Sequence, residues 1–390
     1  MFQGRATWAE IDLDAIADNV RAVKTLVGEN THLLAIVKAN AYGHGAIPVA
    51  NTVVKAGATW LGVNFCDEGV QLRQAGISAR ILLMGFTPLW QATTVVANRL
   101  TPTVNTIEVA EALNAAANPA DPLPVHIKID TGMSRFGLLP DEVVPFCRRL
   151  SDMKGLCLEG LFTHFASADY VDKTPTRGQF KVYEETRARL RQAGIIFPIC
   201  HTAATGATLD MPETHLSLVR CGIAIYGLQP SDEVSKPVVL RPALSLKARI
   251  VRLRTVPPGT AVGYGGTFVT TRDTRIALVP VGYADGIKRC YSNRGSVLIR
   301  GQRAQVLGRV SMDQITVDVT DIPSVVEGDE AVLIGRQGND EITCDQMAEV
   351  MGTINYEVLV GLAHRLPRVY YRGGQEAGYT TLVSNLPVMI

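Results

Sequence analysis

The stretch Leu33-Leu34-Ala35-Ile36-Val37-Lys38 decides the predicted fold, because five consecutive apolar residues end abruptly in a lysine. A short, uninterrupted apolar run is typical of a parallel β-strand whose two faces are both buried. This run, extended to His32–Lys38, is followed by seven similar ones, Trp60–Asn64, Arg80–Phe86, Leu100–Asn105, Val125–Asp130, Leu158–Phe165, Phe197–His201 and Leu216–Arg220. Eight strand–helix units predict an α/β fold with a (β/α)8 barrel, because a doubly wound sheet more often stops at five or six strands.

The segments between these runs have helical periodicity. A leading helix is indicated by the apolar positions Ile16, Val20, Val23 and Val27 behind Asp14. A later helix is predicted from Val143, Cys147 and Leu150, with Pro140 and Asp141 in its first turn.

After about Leu240 the pattern changes to strands separated by Gly, Pro and Asp turns. The predicted strands are Leu246–Val256, Arg275–Tyr283, Ser296–Val306, Gln314–Val319 and Glu330–Ile334, with one helix near Asp345–Met351. The segment Leu228–Pro242 is rich in turn residues and is the predicted linker. We therefore expect a barrel domain over residues 1–240 and a mostly-β domain, a small barrel or a sandwich, over residues 241–390.

Composition excludes several classes of partner. The chain has 390 residues, with 38 Lys and Arg against 37 Asp and Glu, so its net charge of +1 gives no field for nucleic acid or an anionic membrane. No apolar run approaches the roughly 20 residues of a membrane-spanning helix. The first 14 residues contain three acidic residues and no apolar core, so we expect no signal peptide. Seven cysteines without a C-x-x-C pair favour a reduced, cytoplasmic enzyme.

Polar residues stand at the predicted C-terminal ends of the barrel strands, where the active sites of such barrels lie. They are Lys38, Asn64, Asp130, His164, His201 and Arg220. A single Lys or His at a strand end is usually an ordinary surface group, but a set that converges on one rim favours catalysis. A lysine held against apolar walls loses solvation as a cation, so its pKa falls and its neutral amine can form a Schiff base. Lys38 fits that role.

Two glycine-bearing turns follow the last two barrel strands, at Thr205-Gly206-Ala207 and Gly222-Ile223. Barrels often bind phosphate in this pair of loops. Together with a Schiff-base lysine, they indicate pyridoxal 5′-phosphate as cofactor. The chain has no P-loop, zinc-protease, nucleophile-elbow or dinucleotide fingerprint, and its seven histidines have no metal spacing.

The sequence resembles those of the alanine racemase family over nearly the whole chain. The matching motifs, in order, are Val37-Lys38-Ala39-Asn40-Ala41-Tyr42-Gly43-His44-Gly45, Lys128-Ile129-Asp130-Thr131-Gly132-Met133-Ser134-Arg135-Phe136-Gly137, Thr163-His164-Phe165-Ala166, Arg220 with Gly222 and Tyr226-Gly227, Gly263-Tyr264-Gly265, Gly282-Tyr283-Ala284-Asp285-Gly286, Gly308-Arg309-Val310-Ser311-Met312-Asp313 and Ile354-Asn355-Tyr356-Glu357. So many ordered matches are highly specific.

The resemblance implies a homodimer in which the barrel mouth of one subunit faces the C-terminal domain of the other. It implies that Lys38 holds pyridoxal phosphate and that the enzyme interconverts L- and D-alanine, which supplies D-alanine for peptidoglycan. The implied cofactor-binding residues are Tyr42, His164, Thr205, Arg220, Gly222, Ile223 and Tyr356. Those implied at the substrate carboxylate are Arg135, Met312 and Asp313. Tyr264, Met312 and Asp313 are implied to come from the partner chain.

Racemisation removes a proton from one face of Cα and returns one to the other, so it needs two groups on opposite sides. By the resemblance these are Lys38 and Tyr264. Arg220 would face the pyridine nitrogen and donate a hydrogen bond without giving up its proton. Lys128 lies close in sequence to Arg135, where two buried cations would repel, and the resemblance implies that its amine is carbamylated.

Three alternatives stay open at this stage. A racemase that prefers serine or a larger amino acid would share every motif, although the bulk of Tyr356 favours a methyl side chain. A fold-type III amino-acid decarboxylase would share the architecture, but its glycine-rich phosphate loop and its Cys–Asp pairing are absent here. A pyridoxal-phosphate carrier would end after the barrel, whereas this chain adds about 150 residues bearing Tyr264.

Overall fold

A computed structural model describes residues 4–383 and the strand Val388–Met389. The chain forms two compact units. The sheet unit comprises the chain up to Asp14, residues Tyr42–Pro48 and the chain from Ala243 onward, and the barrel unit comprises Ala15–Ala41 and Val49–Pro242. The predicted domain boundary between residues 240 and 241 stays a prediction.

The first strand, β1 Thr7–Asp12, lies in the sheet unit, and eight parallel strands follow in the barrel unit. They are β2 His32–Ile36, β3 Trp60–Val63, β4 Arg80–Leu83, β5 Thr101–Val104, β6 Leu123–Lys128, β7 Leu156–Phe162, β8 Ile199–His201 and β9 Leu218–Cys221. Consecutive strands pair from β2 to β8, and β9 pairs with β2. A single parallel bridge between Ala204 and Arg220 joins β8 to β9. The predicted (β/α)8 barrel is confirmed.

Six of the eight barrel strands end before their predicted last residue. Lys38, for example, follows β2 after one intervening residue, and Asp130 lies two residues beyond the end of β6. Asp130 already belongs to a loop, because its carboxylate accepts hydrogen bonds from the backbone N–H groups of Gly132, Ser134 and Arg135. Four of the six polar residues that the sequence places at strand ends therefore lie in loops, whereas His201 ends β8 and Arg220 lies inside β9.

Most of the helices connect the strands of the barrel unit, and the last two in the chain belong to the sheet unit. They are α1 Leu13–Val27, α2 Ala46–Lys55, α3 Cys66–Gln74, α4 Ala92–Ala97, α5 Ile107–Ala116, α6 Val143–Ser151, α7 Thr174–Gln192, α8 Thr205–Asp210, α9 Cys344–Met351 and α10 Asn355–Val360. The predicted leading helix is confirmed, whereas α6 begins two residues after Asp141, which precedes the helix. Within the described residues, no helix is both long enough and apolar enough to cross a membrane.

The sheet unit is built mostly of strands, as predicted. Its further strands are β10 Leu244–Arg249, β11 Arg252–Val256, β12 Ala261–Val262, β13 Phe268–Val269, β14 Thr274–Val279, β15 Ser296–Ile299, β16 Gln302–Leu307, β17 Ile315–Asp318, β18 Glu330–Gln337, β19 Asp340–Ile342, β20 Arg368–Arg372, β21 Gln375–Thr380 and β22 Val388–Met389. The main sheet has the order β11-β14-β17-β16-β15-β18-β10-β1-β20-β21-β22, with β19 beside β18. Strands β12 and β13 form a separate hairpin.

Two predictions of a single long strand are wrong, because each of these segments forms two strands. The predicted strand Leu246–Val256 is divided into β10 and β11, which pair with different strands. The predicted strand Ser296–Val306 is the hairpin β15–β16, turned at Arg300 and Gly301. These two residues have φ values of 53° and 75°, as a two-residue hairpin turn with both central residues at positive φ requires. Positive φ at an arginine is uncommon, so the turn is not evident from sequence.

Candidate active site

The predicted site residues of the barrel unit all lie at the C-terminal ends of the strands or in the loops that follow them, a region that we call the rim. They are Lys38, Lys128, Arg135, His164, Thr205, Arg220, Gly222 and Ile223. Burial, and then four neighbouring cations, hold the pKa of His164 well below its usual range. In order of effect these cations are Arg220, Lys128, Arg135 and Lys38. The rim is therefore a concentrated positive site, suited to anionic ligands.

Lys38 is half-buried on the rim and follows the fully buried strand residues that end at Val37. Burial lowers the pKa of its amine, the charge of Arg135 lowers it further, and Glu68 opposes both. Glu68 stands at the start of α3 and was not predicted from sequence. The lowered pKa raises the fraction of neutral amine, which is the nucleophilic form.

A left-handed turn follows Lys38. Ala39, Asn40, Ala41 and Tyr42 have φ values of 52°, 53°, 53° and 51°. For residues with a side chain this conformation costs about 1–2 kcal/mol each. It is held by a hydrogen bond from the Ala41 N–H to the Val37 carbonyl, at 2.9 Å, and by one from the Ala39 N–H to Glu68 Oε1, at 2.6 Å. The chain therefore stores strain immediately beside the candidate reactive lysine.

Arg220 is 2% exposed and almost fully saturated with acceptors. Its Nη1 donates to His201 Nδ1 at 2.9 Å and to the His201 carbonyl at 3.0 Å. Its Nη2 donates to the carbonyls of Thr163 and Thr202, at 2.7 and 2.8 Å. Among the described residues no acceptor meets its Nε–H, so one of five N–H groups is left for a ligand. Burial lowers the pKa of Arg220 to about 10, which keeps it cationic at neutral pH.

Lys128 ends β6 and is 6% exposed, yet no carboxylate forms an ion pair with it among the described residues. Its Nζ lies 5.3 Å from the ring centre of Phe136 and 5.7 Å from that of Phe162. Burial, and then the charges of Arg135 and Arg220, lower its pKa to about 8. The prediction of two buried cations is wrong for Arg135, which is exposed, and no described carboxylate forms an ion pair with Lys128 or Arg135.

The two glycine-bearing loops are joined to each other. The Gly222 N–H donates to Thr205 Oγ1 at 2.9 Å, and Thr205 and Ile223 are both buried. Gly206 is closely packed, because a Cβ atom there would meet the Ala168 carbonyl carbon at 3.1 Å. The backbone of these loops therefore has a fixed, compact arrangement.

The predicted site residues of the sheet unit are more exposed. Tyr264 is 70% exposed in a short helical turn between β12 and β13, and Met312 is 52% exposed. The turn needs glycine on either side of the tyrosine, since Gly263 and Gly265 have φ values of 70° and 71°. The Tyr264 side chain is thus presented to solvent from a constrained backbone.

Asp313 is held by a residue that sequence reasoning missed. Arg365 donates to Asp313 Oδ1 and to Asp285 Oδ1, both at 2.7 Å. Asp285 is fully buried and also accepts from Arg5. Gly282 lies against the same turn, because a Cβ atom there would meet the Met312 carbonyl oxygen at 2.4 Å. Asp285 therefore helps to position Asp313 through Arg365, which donates to both carboxylates.

Tyr42 and Tyr356, both in the sheet unit, lie together. Their ring centres are 6.0 Å apart and their planes are inclined by 50°. Burial raises the pKa of the Tyr42 phenol to about 12, so it stays a hydrogen-bond donor at neutral pH. The two phenols that the resemblance assigns to the phosphate are therefore brought together.

A barrel that ends in a cationic rim with a half-buried lysine, together with a mostly-β unit, is the arrangement that the resemblance to alanine racemases implies. The family model for the alanine racemase N-terminal domain matches residues 11–230, and that for the alanine racemase C-terminal domain matches residues 243–370. The chain belongs to the alanine racemase family.

Relatives extend this match over almost the whole chain. Alanine racemase of Desulfovibrio desulfuricans is 45% identical over 94% of this chain and 98% of its own length. Alanine racemase of Halothermothrix orenii is 46% identical, over 94% and 97%. The crystal structure of alanine racemase from Bacillus anthracis with bound L-Ala-P has a TM-score of 0.94 at 36% identity, covering 99% of this chain and all of that one.

Proposed function

We propose that this chain interconverts L-alanine and D-alanine, with pyridoxal 5′-phosphate bound covalently through Lys38. The observation that carries the proposal is the Lys38 amine, half-buried on a cationic rim and with a lowered pKa. Membership of the alanine racemase family supports the substrate and the reaction.

The residues present fit this cofactor. The Lys38 amine suits an aldehyde, the open Nε–H of Arg220 suits a ring nitrogen that accepts a hydrogen bond, and the joined Thr205 and Gly222 loops suit a phosphate. When bound, pyridoxal phosphate supplies conjugation that stabilises negative charge at the substrate Cα. The protein's own side chains would bind the substrate, orient the cofactor and move the α-proton.

Proton transfer at one face of Cα falls to Lys38. Its lowered pKa raises the fraction of neutral amine, which is the form that takes a proton as a general base. The hydrogen bonds around the left-handed turn fix the backbone from which Nζ reaches.

The opposite face needs a second group, and we propose Tyr264 of a second copy of the chain. In support, Tyr264 is 70% exposed on a glycine-flanked turn, so its hydroxyl is available to another subunit. A homodimer with shared active sites is thus part of the proposal. His164, whose pKa is lowered by burial and then by the cations around it, would accept a hydrogen bond near that phenol.

Arg220 orients the ring without protonating it. A guanidinium with a pKa of about 10 stays charged at neutral pH and donates through Nε–H. A ring nitrogen held by Arg220 would carry no full positive charge, so the bound cofactor would stabilise negative charge at Cα less strongly and would disfavour side reactions such as transamination.

The substrate carboxylate is assigned to Arg135, with Met312 and Asp313 supplied by the partner. We further propose that Lys128 is carbamylated: its Nζ lone pair attacks carbon dioxide, a C–N bond forms and a proton is released to water. A pKa of about 8 leaves about a tenth of the amine neutral at pH 7, which is the form that reacts. The negative charge of the resulting carbamate would offset the positive charge of Arg135.

The phosphate would be bound by Thr205, Gly222, Ile223, Tyr42 and Tyr356. The bulk of Tyr356 would leave room for a methyl side chain, so alanine is favoured over serine. As the resemblance implies, the product D-alanine would serve peptidoglycan synthesis in the cytoplasm.

The test follows the α-proton of each alanine enantiomer separately in D2O by NMR. We expect exchange and inversion with both enantiomers, slower racemisation of L-serine, and no release of CO2 from lysine, ornithine or diaminopimelate. Absence of exchange with either enantiomer in the protein saturated with pyridoxal phosphate would contradict the proposal.

A further inference from the structure

The interior of the barrel contains a polar chain that the sequence analysis did not predict. It consists of Arg220, His201, His126 and Glu159, which we call the histidine column. His201 Nε2 lies 2.9 Å from His126 Nδ1, and His126 Nε2 lies 3.4 Å from Glu159 Oε2. Both imidazoles are fully buried, whereas barrel interiors are dominated by branched apolar side chains.

The direction of every hydrogen bond in the column follows from its two ends. Arg220 can only donate, so His201 Nδ1 accepts and the His201 proton lies on Nε2. That N–H donates to His126 Nδ1, which places the His126 proton on Nε2, facing the Glu159 carboxylate. Burial holds the pKa of both histidines below the usual range, in agreement with two neutral rings.

Glu159 is the acceptor at which the column ends. Its Oε1 accepts from Arg80 and its Oε2 from His126. Arg80 in turn lies over the Trp60 ring, with Cζ 3.9 Å from the ring centre. Although burial alone would raise the pKa of Glu159, the hydrogen bonds from His126 and Arg80 lower it, so the group stays a carboxylate.

The backbone is adapted to this arrangement. A Cβ atom at Gly160 would lie 2.3 Å from the His126 ring, so only glycine leaves room for the imidazole. The His201 ring stacks on Phe162, with centres 4.6 Å apart and planes within 7°. Among the described residues, no carboxylate contacts Arg220 directly, and Glu159 is the anion connected to it through the column.

We propose that Glu159 is a remote positioning residue of the site, which fixes the tautomers of His126 and His201 so that Arg220 always meets an acceptor and keeps its Nε–H for the ligand. The link to the ligand rests on the proposed function, whereas the tautomers are properties of the protein alone. If the column were reversed, His201 would present an N–H to the Arg220 guanidinium, and the two donors would repel.

Glu159→Gln should reverse the column. Arg80 requires an acceptor, so the amide oxygen of the glutamine would face Arg80 and its NH2 would face His126 Nε2. His126 would then carry its proton on Nδ1 and donate to His201 Nε2, which moves the His201 proton to Nδ1. Removing Arg80 as well, in the double variant Arg80→Met with Glu159→Gln, frees the amide to rotate and should restore the original direction.

The tautomers are read by 15N NMR of the full chain labelled at histidine, with and without pyridoxal phosphate. In the parent protein we expect His126 and His201 to be protonated at Nε2 only, in Glu159→Gln at Nδ1 only, and in the double variant at Nε2 again. The control Glu184→Gln, which alters a carboxylate paired with Arg187 on the surface of α7, should leave both unchanged.

Affinity for pyridoxal phosphate provides the second readout. Glu159→Gln should weaken binding about tenfold, the value of roughly one hydrogen bond, and the double variant should recover it. An Nδ1–H or cationic ring in the parent protein, or unchanged tautomers in Glu159→Gln, would overturn the proposal. Reversed tautomers with unchanged affinity would overturn the link to Arg220. A protein with the expected tautomers but no racemase activity would overturn only the proposed function.

Discussion

The predicted site residues on the rim of the barrel unit differ in exposure from Tyr264 and Met312 of the sheet unit. The rim groups other than Arg135 are buried or half-buried, and the charges on the rim shift the pKa values of Lys38, Lys128 and His164. Tyr264 and Met312 are more than half exposed. The rim is therefore organised within one chain, whereas the sheet-unit residues have the exposure expected of groups that act on another molecule. Changes on the rim should affect activity and stability together, and changes at Tyr264 activity alone.

The largest effect is expected for Lys38→Ala. Loss of both the covalent attachment and one base should reduce racemisation by more than about 10⁴-fold. Rates with L- and D-alanine test this, and borohydride treatment with pyridoxal phosphate should label Lys38 in the parent protein and nothing in the variant. Lys181→Ala, at an exposed position on α7, is the matched control and should retain full activity and label.

Tyr264→Phe should reduce racemisation about 10²–10⁴-fold, the usual value of one general acid–base group. Because the side chain is 70% exposed, the free energy of unfolding should change by less than about 0.5 kcal/mol. Rates and denaturant unfolding measure the two quantities, with Tyr170→Phe, also exposed, as control. A large loss of stability would show that Tyr264 is not independent of its own chain.

Lys128 should make the free energy of unfolding of the chain depend on pH. Its pKa of about 8 in the folded chain lies below the ordinary value of 10.5, so the unfolded chain binds more protons between these values and stability rises with pH there. Below pH 8 the unmodified, charged amine should lower the free energy of unfolding by up to about 3 kcal/mol. In bicarbonate-free buffer Lys128→Met should therefore stabilise the chain at pH 7 and flatten this rise.

Chemical unfolding between pH 7 and 10.5, with and without bicarbonate, measures that effect, and mass spectrometry under native conditions detects the carbamate. A carbamylated parent protein should lose the penalty, because the cation is gone. If Lys128→Met left stability at pH 7 unchanged in bicarbonate-free buffer, the buried lysine would not be the destabilising cation that its surroundings indicate.

The smallest effect is expected in the left-handed turn. Ala39 is exposed with φ of 52°, so Ala39→Gly should relieve strain and stabilise the chain by up to about 1 kcal/mol. Ala188→Gly, at an exposed position inside α7, should destabilise by a similar amount. If the turn is strained, the unfolding temperature should rise in Ala39→Gly and fall in Ala188→Gly. If the turn is not strained, it should fall in both variants.

The sequence predicts the barrel well because its strands are apolar on both faces, a pattern that a single run such as Leu33–Val37 already shows. It fails where the deciding information is non-local. His126 and Glu159 are polar residues inside strands, and nothing in their neighbours along the chain indicates that they meet. The hairpin at Arg300 and Gly301 is missed because an arginine gives no sign of positive φ.

The candidate site shows the same limit. Lys38, Arg220 and Tyr264 were predicted from the sequence, whereas Arg365 and Glu68 were missed because the residues that they hold lie far away along the chain. The structure also adds the left-handed turn after Lys38, which four ordinary residue types adopt against their intrinsic preference. Only tertiary hydrogen bonds can specify such a conformation.

The position of β1 has a consequence for synthesis of the chain. This strand leaves the ribosome first, yet it lies between β10 and β20 at the centre of the main sheet. Its parallel partner is translated more than 350 residues later, which takes roughly 20–70 s at usual elongation rates. During that interval the edge of β1 that pairs with β20 lacks its native partner, although β10 is translated earlier, so this side of the sheet is completed late.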